Sequence, residues 1–263
     1  MAKVKDIYDF LDLKFPYCKK EKDDNSGLIA GDFESEVKKV LVSLDLTYEV
    51  IKEAQDKGVS LIVTHHPAVF EGLMSIDENS YAGGKISKLI KSNISAISCH
   101  TNLDIAKNGL NDMLSNVLGL ENIGCFCEVP ELPNEFIGRI GYFEPFEPTD
   151  LITFANFVKK TLNCEGLRYC DAGRLVQKVA VIGGSGAYFA SEAVKAGADT
   201  FVTGDAKYKD FIVCKETGLN LIAAGHFNTE NIVVKPLAEL IKKAFPSLIV
   251  SVSEVHKNCI SFI

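Results

Sequence analysis

The hydrophobic positions of the chain form short apolar runs that alternate with longer amphipathic segments. The runs at residues 61–64, 94–99, 179–182 and 219–224 are dominated by aliphatic and small side chains, which is typical of buried strands. The segment that follows the last run keeps helical spacing of its apolar residues to about Phe245. Alternating strands and helices predict an α/β protein.

Three of these runs end in side chains that commonly bind metals. His65 and His66 follow the first run, and Pro67 behind them cannot donate to a strand ladder. Because open α/β sheets place their sites at the carboxyl ends of strands, the pair predicts a metal site. Adjacent strand residues point to opposite faces, so the two imidazoles share one ion only if the chain bends. Otherwise each serves a different ion, or one is packed and the other exposed.

The other two runs add oxygen and nitrogen donors. Asp104 lies just beyond the run at residues 94–99, and His226 and Glu230 lie beyond the run at residues 219–224, four residues apart on one helical face. With His65 and His66 they make five candidate ligands, more than one tetrahedral ion needs. A carboxylate can bridge two cations about 3.5–4 Å apart, so a centre with two divalent metal ions is predicted. His256 is interpreted as a satisfied or exposed histidine.

Composition narrows the class of protein. A chain of 263 residues is long for one core and suits two compact lobes. Its net charge of −7 argues against a dedicated nucleic-acid partner, although a small anionic substrate remains compatible with it. The chain starts without an apolar signal region and has no run of about 20 apolar residues that could span a membrane. We therefore expect a cytoplasmic protein whose eight cysteines are reduced.

The lobe boundary is predicted near residues 128–134, where Pro130 and Pro133 interrupt both strand and helix patterns. Since His226 and Glu230 must meet His65, the chain has to return to the first lobe. The prediction is a discontinuous metal-binding lobe of residues 1–128 plus 225–263, and a second α/β lobe of residues 129–224.

Two further stretches contain informative glycines. Residues 54–64 align without gaps to residues 193–203, and in both a helix ends at a glycine before a short apolar strand, which favours a weak duplication with one copy in each lobe.

Residues 183–186 (Gly-Gly-Ser-Gly) follow the run at 179–182. A glycine-rich turn before a helix can bind an anion, but the spacing is not that of a dinucleotide site, and we favour a tight turn between strand and helix.

The motifs together resemble those of the NGG-interacting-factor family, whose bacterial members are commonly called GTP cyclohydrolase I type 2 homologues. The resemblance runs nearly from end to end and is carried by Asp24-Asn25-Ser26-Gly27-Leu28, Thr64-His65-His66-Pro67, Cys99-His100-Thr101-Asn102-Leu103-Asp104, Ala196-Gly197-Ala198-Asp199, Val202-Thr203-Gly204-Asp205 and Gly225-His226-Phe227-Asn228-Thr229-Glu230.

The resemblance implies a two-lobed subunit, with a mixed sheet flanked by helices in each lobe, that assembles into a toroidal homohexamer. It also implies a dinuclear centre with the five ligands named above, in which Asp104 and Glu230 are the expected bridges. His100 is then a residue near the site. Lys209 stands where the family usually has a histidine, so the contribution of that histidine is not carried over.

Two functions follow as hypotheses. In the first, the protein is a metal-dependent hydrolase in which paired cations activate water against a purine nucleotide or a related heterocycle, with His100 as the candidate for proton transfer. In the second, the metal centre serves binding or regulation without turnover. Mixed imidazole and carboxylate ligands suit zinc, iron, manganese or nickel alike.

Overall fold

The structure is a computed structural model that describes residues 1–144 and 147–263. Within them, the α-helices are α1 (Val4–Lys14), α2 (Tyr48–Lys57), α3 (Tyr81–Lys91), α4 (Thr101–Ile105), α5 (Leu110–Val117), α6 (Leu151–Thr161), α7 (Ala190–Lys195), α8 (Tyr208–Thr217), α9 (His226–Glu230) and α10 (Val234–Ala244). The strands are β1 (Gly27–Ala30), β2 (Lys39–Ser43), β3 (Leu61–Thr64), β4 (Ser95–Ser98), β5 (Glu121–Glu128), β6 (Phe136–Tyr142), β7 (Arg168–Cys170), β8 (Lys178–Ile182), β9 (Thr200–Thr203), β10 (Asn220–Ala223) and β11 (Ile249–Val252). Short 3-10 helices lie at Tyr17–Lys19, Ala187–Phe189 and Asn231–Val233.

The chain forms two compact units, and the first is discontinuous in sequence. Unit 1 comprises Met1–Ala106 and Val233–Lys257, and unit 2 comprises Lys107–Ile232 and Asn258–Ile263. These bounds differ from the predicted ones at both boundaries. The prolines near residue 130 lie in the connection of a hairpin rather than in a linker, because β5 pairs antiparallel with β6. Residues 121–128 therefore belong to the second sheet, and α9 belongs to unit 2.

Unit 1 contains a five-stranded mixed sheet in the order β1-β4-β3-β2-β11. β11, β2, β3 and β4 are parallel, and β1 pairs antiparallel with β4. All four residues of β3 are buried, as expected of a parallel strand that is covered on both faces. Thr64 is in register with Ser98, so β3 and β4 end level at the same edge of the sheet.

Unit 2 contains a six-stranded mixed sheet in the order β5-β6-β8-β9-β10-β7. The central strands β8, β9 and β10 are parallel, and Thr203 is in register with both Ile182 and Ala223. Phe154 of α6 is fully buried against this sheet in a core that includes Val179. The predicted architecture of mixed sheets flanked by helices is confirmed in both units. No helix among the described residues is long and apolar enough to cross a membrane.

The internal similarity noted in the sequence corresponds to equivalent positions in the two sheets. α2, Gly58 and β3 in unit 1 match α7, Gly197 and β9 in unit 2, and both glycines have positive φ, 62° and 82°. Each unit therefore builds a helix–glycine–strand segment that delivers its next residues to the carboxyl edge of a parallel sheet.

Candidate metal centre

Three histidines cluster at the carboxyl ends of β3 and β4 in unit 1. The strands stay paired up to this edge, where the amide of Cys99 donates to the carbonyl of Thr64 at 2.9 Å. The ring centroids of His65 and His66 are 4.7 Å apart, and those of His100 are 5.2 and 5.4 Å from them. One ligand atom from each of the three lies within 4.8 Å of the others, so they could hold a metal ion.

The chain bends after Thr64, which is what the sequence required if His65 and His66 were to face one ion. The Thr64 hydroxyl donates to the carbonyl of His66 at 2.7 Å and stabilises this bend. His65 is fully buried and His66 is 8% exposed, so the alternative with one packed and one exposed histidine is wrong.

Each imidazole of this cluster has its Nδ1 fixed by an oxygen. Nδ1 of His65 lies 2.8 Å from the carbonyl oxygen of Cys99. Nδ1 of His66 lies 2.8 Å from Oδ1 of Asp45, and Nδ1 of His100 lies 2.8 Å from Oδ1 of Asp24. A carbonyl only accepts, so Nδ1 of His65 donates in this contact and Nε2 is the ring nitrogen that could bind a metal ion. An oriented imidazole of this kind, anchored through one nitrogen, is typical of metal ligands.

The predicted carboxylate ligand of unit 1 lies beside this cluster. Asp104 belongs to α4, and its Oδ1 is 3.7 Å from Nε2 of His65. Its side chain is 13% exposed. The structure thus brings together four of the sequence-predicted site residues, namely His65, His66, His100 and Asp104.

The carboxylate of Asp24 is held in unit 1 by several hydrogen bonds. Besides His100, it accepts hydrogen bonds from the hydroxyls of Thr101, at 2.7 Å, and of Ser26. Burial by itself would raise the pKa of Asp24, but the hydrogen bond and the charge of His100 outweigh burial and hold that pKa well below its usual range. The carboxylate therefore stays ionised and orients His100.

Asp45 connects two histidines of unit 1. Its Oδ1 holds His66, and its Oδ2 lies 2.9 Å from Nε2 of His256. Burial by itself would raise the pKa of Asp45, but its interactions with His256 and His66 lower it well below its usual range. His256, interpreted from the sequence as a satisfied or exposed histidine, is a satisfied one: its side chain is 10% exposed and contacts Asp45, the acid that orients His66.

Unit 2 carries the second set of candidate ligands on one helix. Nε2 of His226 is 3.0 Å from Oε2 of Glu230, four residues later on α9. Two ligands of one ion lie about 3 to 3.5 Å apart when each bond is about 2.0–2.2 Å long, so the spacing fits a shared cation. Nδ1 of His226 is anchored 2.7 Å from Oδ2 of Asp205, which repeats the arrangement of unit 1.

The electrostatics of this pair favour a positive charge. Burial by itself would lower the pKa of His226, but hydrogen bonds and charge interactions with Asp205 and Glu230 raise it to about 10. The hydrogen bond with His226 in turn lowers the pKa of Asp205. Two carboxylates around one imidazole thus stabilise a cation, and a divalent metal is a cation that both Nε2 and Oε2 can ligate.

Two glycines let α9 approach the end of the unit 2 sheet. A Cβ on Gly204 would lie 2.6 Å from the carbonyl oxygen of Gly184 and 2.9 Å from Cα of His226. A Cβ on Gly184, where φ is +59°, would overlap Oε1 of Glu230. The structure therefore supports the tight-turn interpretation of residues 183–186 and adds a second reason for glycine there. The missing side chains make room for the candidate ligands.

Sequence reasoning missed the three acids that orient the histidines. Asp24 and Asp205 stand within motifs that carried the family resemblance, but no role could be assigned to them from spacing. Asp45 follows the apolar run at residues 40–44, so it had the same signal as the histidines, a polar side chain just beyond a strand.

Comparison with known proteins identifies the family. The model of the Duf34/NIF3 (NGG1p interacting factor 3) family matches residues 2–259. The chain belongs to this family. A Clostridium perfringens protein named GTP cyclohydrolase 1 type 2 homolog is 39% identical over 247 residues, which cover 93% of this chain and 93% of that protein. A protein of the same name from Clostridium acetobutylicum is 38% identical over 87% of this chain and 85% of its own length.

Solved structures confirm the NIF3 fold. A crystal structure of a Staphylococcus aureus protein superposes with a TM-score of 0.89 at 31% identity and covers 100% of this chain and 99% of that chain. The structure of a Bacillus cereus protein related to NIF3 gives a TM-score of 0.88 at 24% identity, over 100% and 99% of the two chains. The second likeness shows the fold alone.

Both units contain imidazole and carboxylate groups that could bind a metal ion. The expectation that His65, His66, Asp104, His226 and Glu230 share one dinuclear centre stays a prediction. So does the role of His100 in proton transfer.

Proposed function

We propose that this NIF3-family protein is a metal-dependent hydrolase that acts on a purine nucleotide or a related heterocycle. The observation that carries the proposal is the anchoring of four histidines, His65, His66, His100 and His226, each through Nδ1 to an oxygen 2.7 or 2.8 Å away. Such outer partners fix the ring orientation that a metal ligand needs. The name shared by the clostridial relatives supports the choice of substrate class.

Two divalent cations are proposed, held by His65, His66 and Asp104 of unit 1 and by His226 and Glu230 of unit 2. When bound, such cations supply Lewis acidity: they polarise the group under attack and acidify water near neutral pH. The residues fit these ions because imidazole nitrogen and carboxylate oxygen are the ligands that zinc, iron, manganese and nickel share.

His100 is proposed to move the proton. Its Nδ1 is held by Asp24, so Nε2 is the atom that accepts or delivers a proton, as in other acid-oriented histidines of hydrolases. The Phe70 ring lies 5.8 Å from that of His100 and 6.1 Å from that of His66, and it supplies an apolar wall on this side of the cluster.

Metal analysis followed by a hydrolysis screen tests the proposal. Protein purified without added metal is analysed for bound ions, stripped with a chelator, reloaded, and assayed against nucleotides and related heterocycles. We expect about two ions per chain, activity that disappears with chelator and returns with metal, and reduced metal content in Glu230→Gln, because a neutral amide is a poorer ligand than a carboxylate. If the fully metallated protein hydrolyses none of these compounds, the binding or regulatory hypothesis replaces this one.

We also propose a closed cytoplasmic homohexamer, which rests on the family resemblance. Light scattering at micromolar concentration is expected to give six times the mass of 28.7 kDa. A monomer at that concentration would contradict the assembly and leave the metal chemistry to be judged by the experiment above.

A further inference from the structure

Unit 2 contains a cavity beside the acid that orients His226. Its volume is about 400 Å³, and its wall includes Arg168, Ser185, Tyr188, Asp205, Lys207 and Lys209. This volume is within the range of pockets that bind small molecules, about 300–1,000 Å³. Asp205 belongs both to this wall and to the hydrogen bond with His226, so the cavity adjoins the candidate ligands of α9.

The wall has more cations than anions: the side chains of Arg168, Lys207 and Lys209 face the two carboxylates of Asp205 and Asp210. Among the described residues, no carboxylate lies within ion-pair distance of the side chains of Arg168, Lys207 or Lys209. The two acids of the wall already have partners: Asp205 contacts His226 at 2.7 Å, and Asp210 accepts from the backbone amide of Lys207 at 2.7 Å. In a chain with a net charge of −7, this local excess of cations around one cavity favours the binding of an anion.

Arg168 is the most rigidly placed of the three cations. Its Nη2 donates to the carbonyl of Ala206 at 3.0 Å, and its guanidinium lies 5.4 Å from the centre of the Phe211 ring. Both contacts restrict the side chain and leave further N–H donors of the guanidinium for a ligand. Tyr188 adds an aromatic face: it is 65% exposed, although its ring centroid is 4.0 Å from that of Phe189. Such a face suits a planar base or a sugar ring.

We propose that this cavity binds the phosphate groups of a nucleotide substrate through Arg168, Lys207 and Lys209. The assignment rests on the proposed function, since it makes the substrate of the hydrolase a nucleoside phosphate rather than an uncharged heterocycle. Arg168 supplies geometry and the lysines supply charge, which is the usual division between these residues at phosphate sites. This assigns phosphate binding to Lys209, which stands where the family usually has a histidine.

Calorimetry on the full chain tests the site without requiring turnover. Metal-free protein is titrated with tripolyphosphate and with guanosine triphosphate, and the titrations are repeated on the double variant Lys207→Ala/Lys209→Ala. We expect both ligands to bind the wild type and both to bind the double variant about tenfold or more weakly, the loss expected for charged hydrogen bonds. Lys215→Ala is the matched control, because Lys215 is an exposed lysine of the same helix α8 that does not line the cavity.

The variant Tyr188→Ala distinguishes binding of the base or sugar of the nucleotide from binding of its phosphates. This variant is expected to weaken binding of the nucleotide while binding of tripolyphosphate stays unchanged. Equal affinities of wild type and the double lysine variant for both probes would overturn the assignment, as would the absence of saturable binding to the wild type.

The outcomes distinguish this inference from the proposed function. If the lysine variant loses phosphate affinity but the metallated wild type hydrolyses no nucleotide, the cavity assignment stands and the hydrolase proposal fails. If nucleotides are hydrolysed with the same KM by the wild type and the lysine variant, the hydrolase proposal stands and the cavity assignment fails.

Discussion

The two units present candidate metal ligands by different structural means. In unit 1, His65, His66 and His100 extend directly from the ends of two paired parallel strands, so the sheet itself sets their spacing. In unit 2, His226 and Glu230 lie on a five-residue helix that follows β10, and their spacing is set by one helical turn. Both units nevertheless anchor their histidines through Nδ1, with a backbone carbonyl or an aspartate as partner.

The two units are therefore sensitive to different substitutions. The unit 1 histidines follow strands that the core already holds, so their alignment depends mainly on the groups that contact Nδ1 of each ring. The unit 2 helix is shorter than an isolated helix could be in water, and it is held by packing. That packing requires Gly184 and Gly204 to lack side chains. Added volume should therefore damage unit 2 more than unit 1, and loss of an acid should damage both.

The largest effect is expected from the removal of His100, the third histidine of the unit 1 cluster, which we propose to transfer a proton rather than to bind metal. His100→Ala should lower turnover by about a hundredfold to ten-thousandfold, the usual contribution of a proton-transferring group. Metal content, measured on the same preparation by elemental analysis, should stay close to that of the wild type. Loss of metal from this variant would make His100 a sixth ligand and remove the role in proton transfer.

The second prediction compares the aspartates that orient histidines in the two units. Asp45→Ala in unit 1 and Asp205→Ala in unit 2 should each weaken metal binding by about 10–100-fold, because an imidazole without its outer partner is free to rotate. Competition with a chromophoric chelator measures the affinities. Asp56→Ala is the control, since Asp56 is an exposed acid that pairs with Lys52 on the surface. Unchanged affinity in either test variant would show that its histidine is oriented by packing alone.

A third prediction concerns the glycines under α9. Gly204→Ala places a Cβ against backbone atoms that cannot rotate away, and it should lower the free energy of unfolding by about 1–3 kcal/mol, the usual cost of overpacking. Metal bound through His226 and Glu230 should fall as well. Urea unfolding and metal analysis measure the two effects.

Gly124→Ala is the matched control for this glycine, because its added Cβ would only come within 3.9 Å of Ile140, an ordinary contact. Gly124 lies in β5 of the same unit. If the two alanine variants are equally stable and bind equal metal, the close approach of α9 is not the reason for glycine at position 204.

The candidate ligands could be predicted from sequence because their signal is local. An apolar run that ends in histidine or aspartate is visible without knowing the fold, and the His226–Glu230 spacing follows from helix geometry alone. Asp45 carries a similar local signal, but its partnership with His66 arises from the pairing of β2 with β3, which no spacing shows. The cationic cavity likewise joins Arg168 to residues almost forty positions later.

The bounds of the two units differ from the predicted ones for a related reason. Two prolines between a strand and another strand look the same in sequence whether they end a domain or turn a hairpin, and here they turn the hairpin from β5 to β6. The predicted bounds assign α9 to the first lobe, whereas its packing on Gly184 and Gly204 makes it part of unit 2.

The smallest predicted effect concerns the returning segment that makes unit 1 discontinuous. Glu53 is buried on α2 and accepts hydrogen bonds from the hydroxyl of Ser253, at 2.6 Å, and from the amide of Glu254, at 3.1 Å. Burial alone would raise the pKa of Glu53, but these bonds and that of Lys57 lower it below its ordinary value. Because the folded state holds the carboxylate more strongly than the unfolded chain does, its contribution to stability is present above the unfolded pKa. It is lost as the pH falls through the folded pKa.

Glu53→Gln should therefore be less stable than the wild type at pH 7, and the difference should shrink as the pH falls below about 4.3, the ordinary pKa of a glutamate. Urea unfolding at several pH values measures this difference, with Glu49→Gln as the control because Glu49 is an exposed glutamate of the same helix. A difference that is independent of pH would mean that the ionised carboxylate is not what Glu53 contributes.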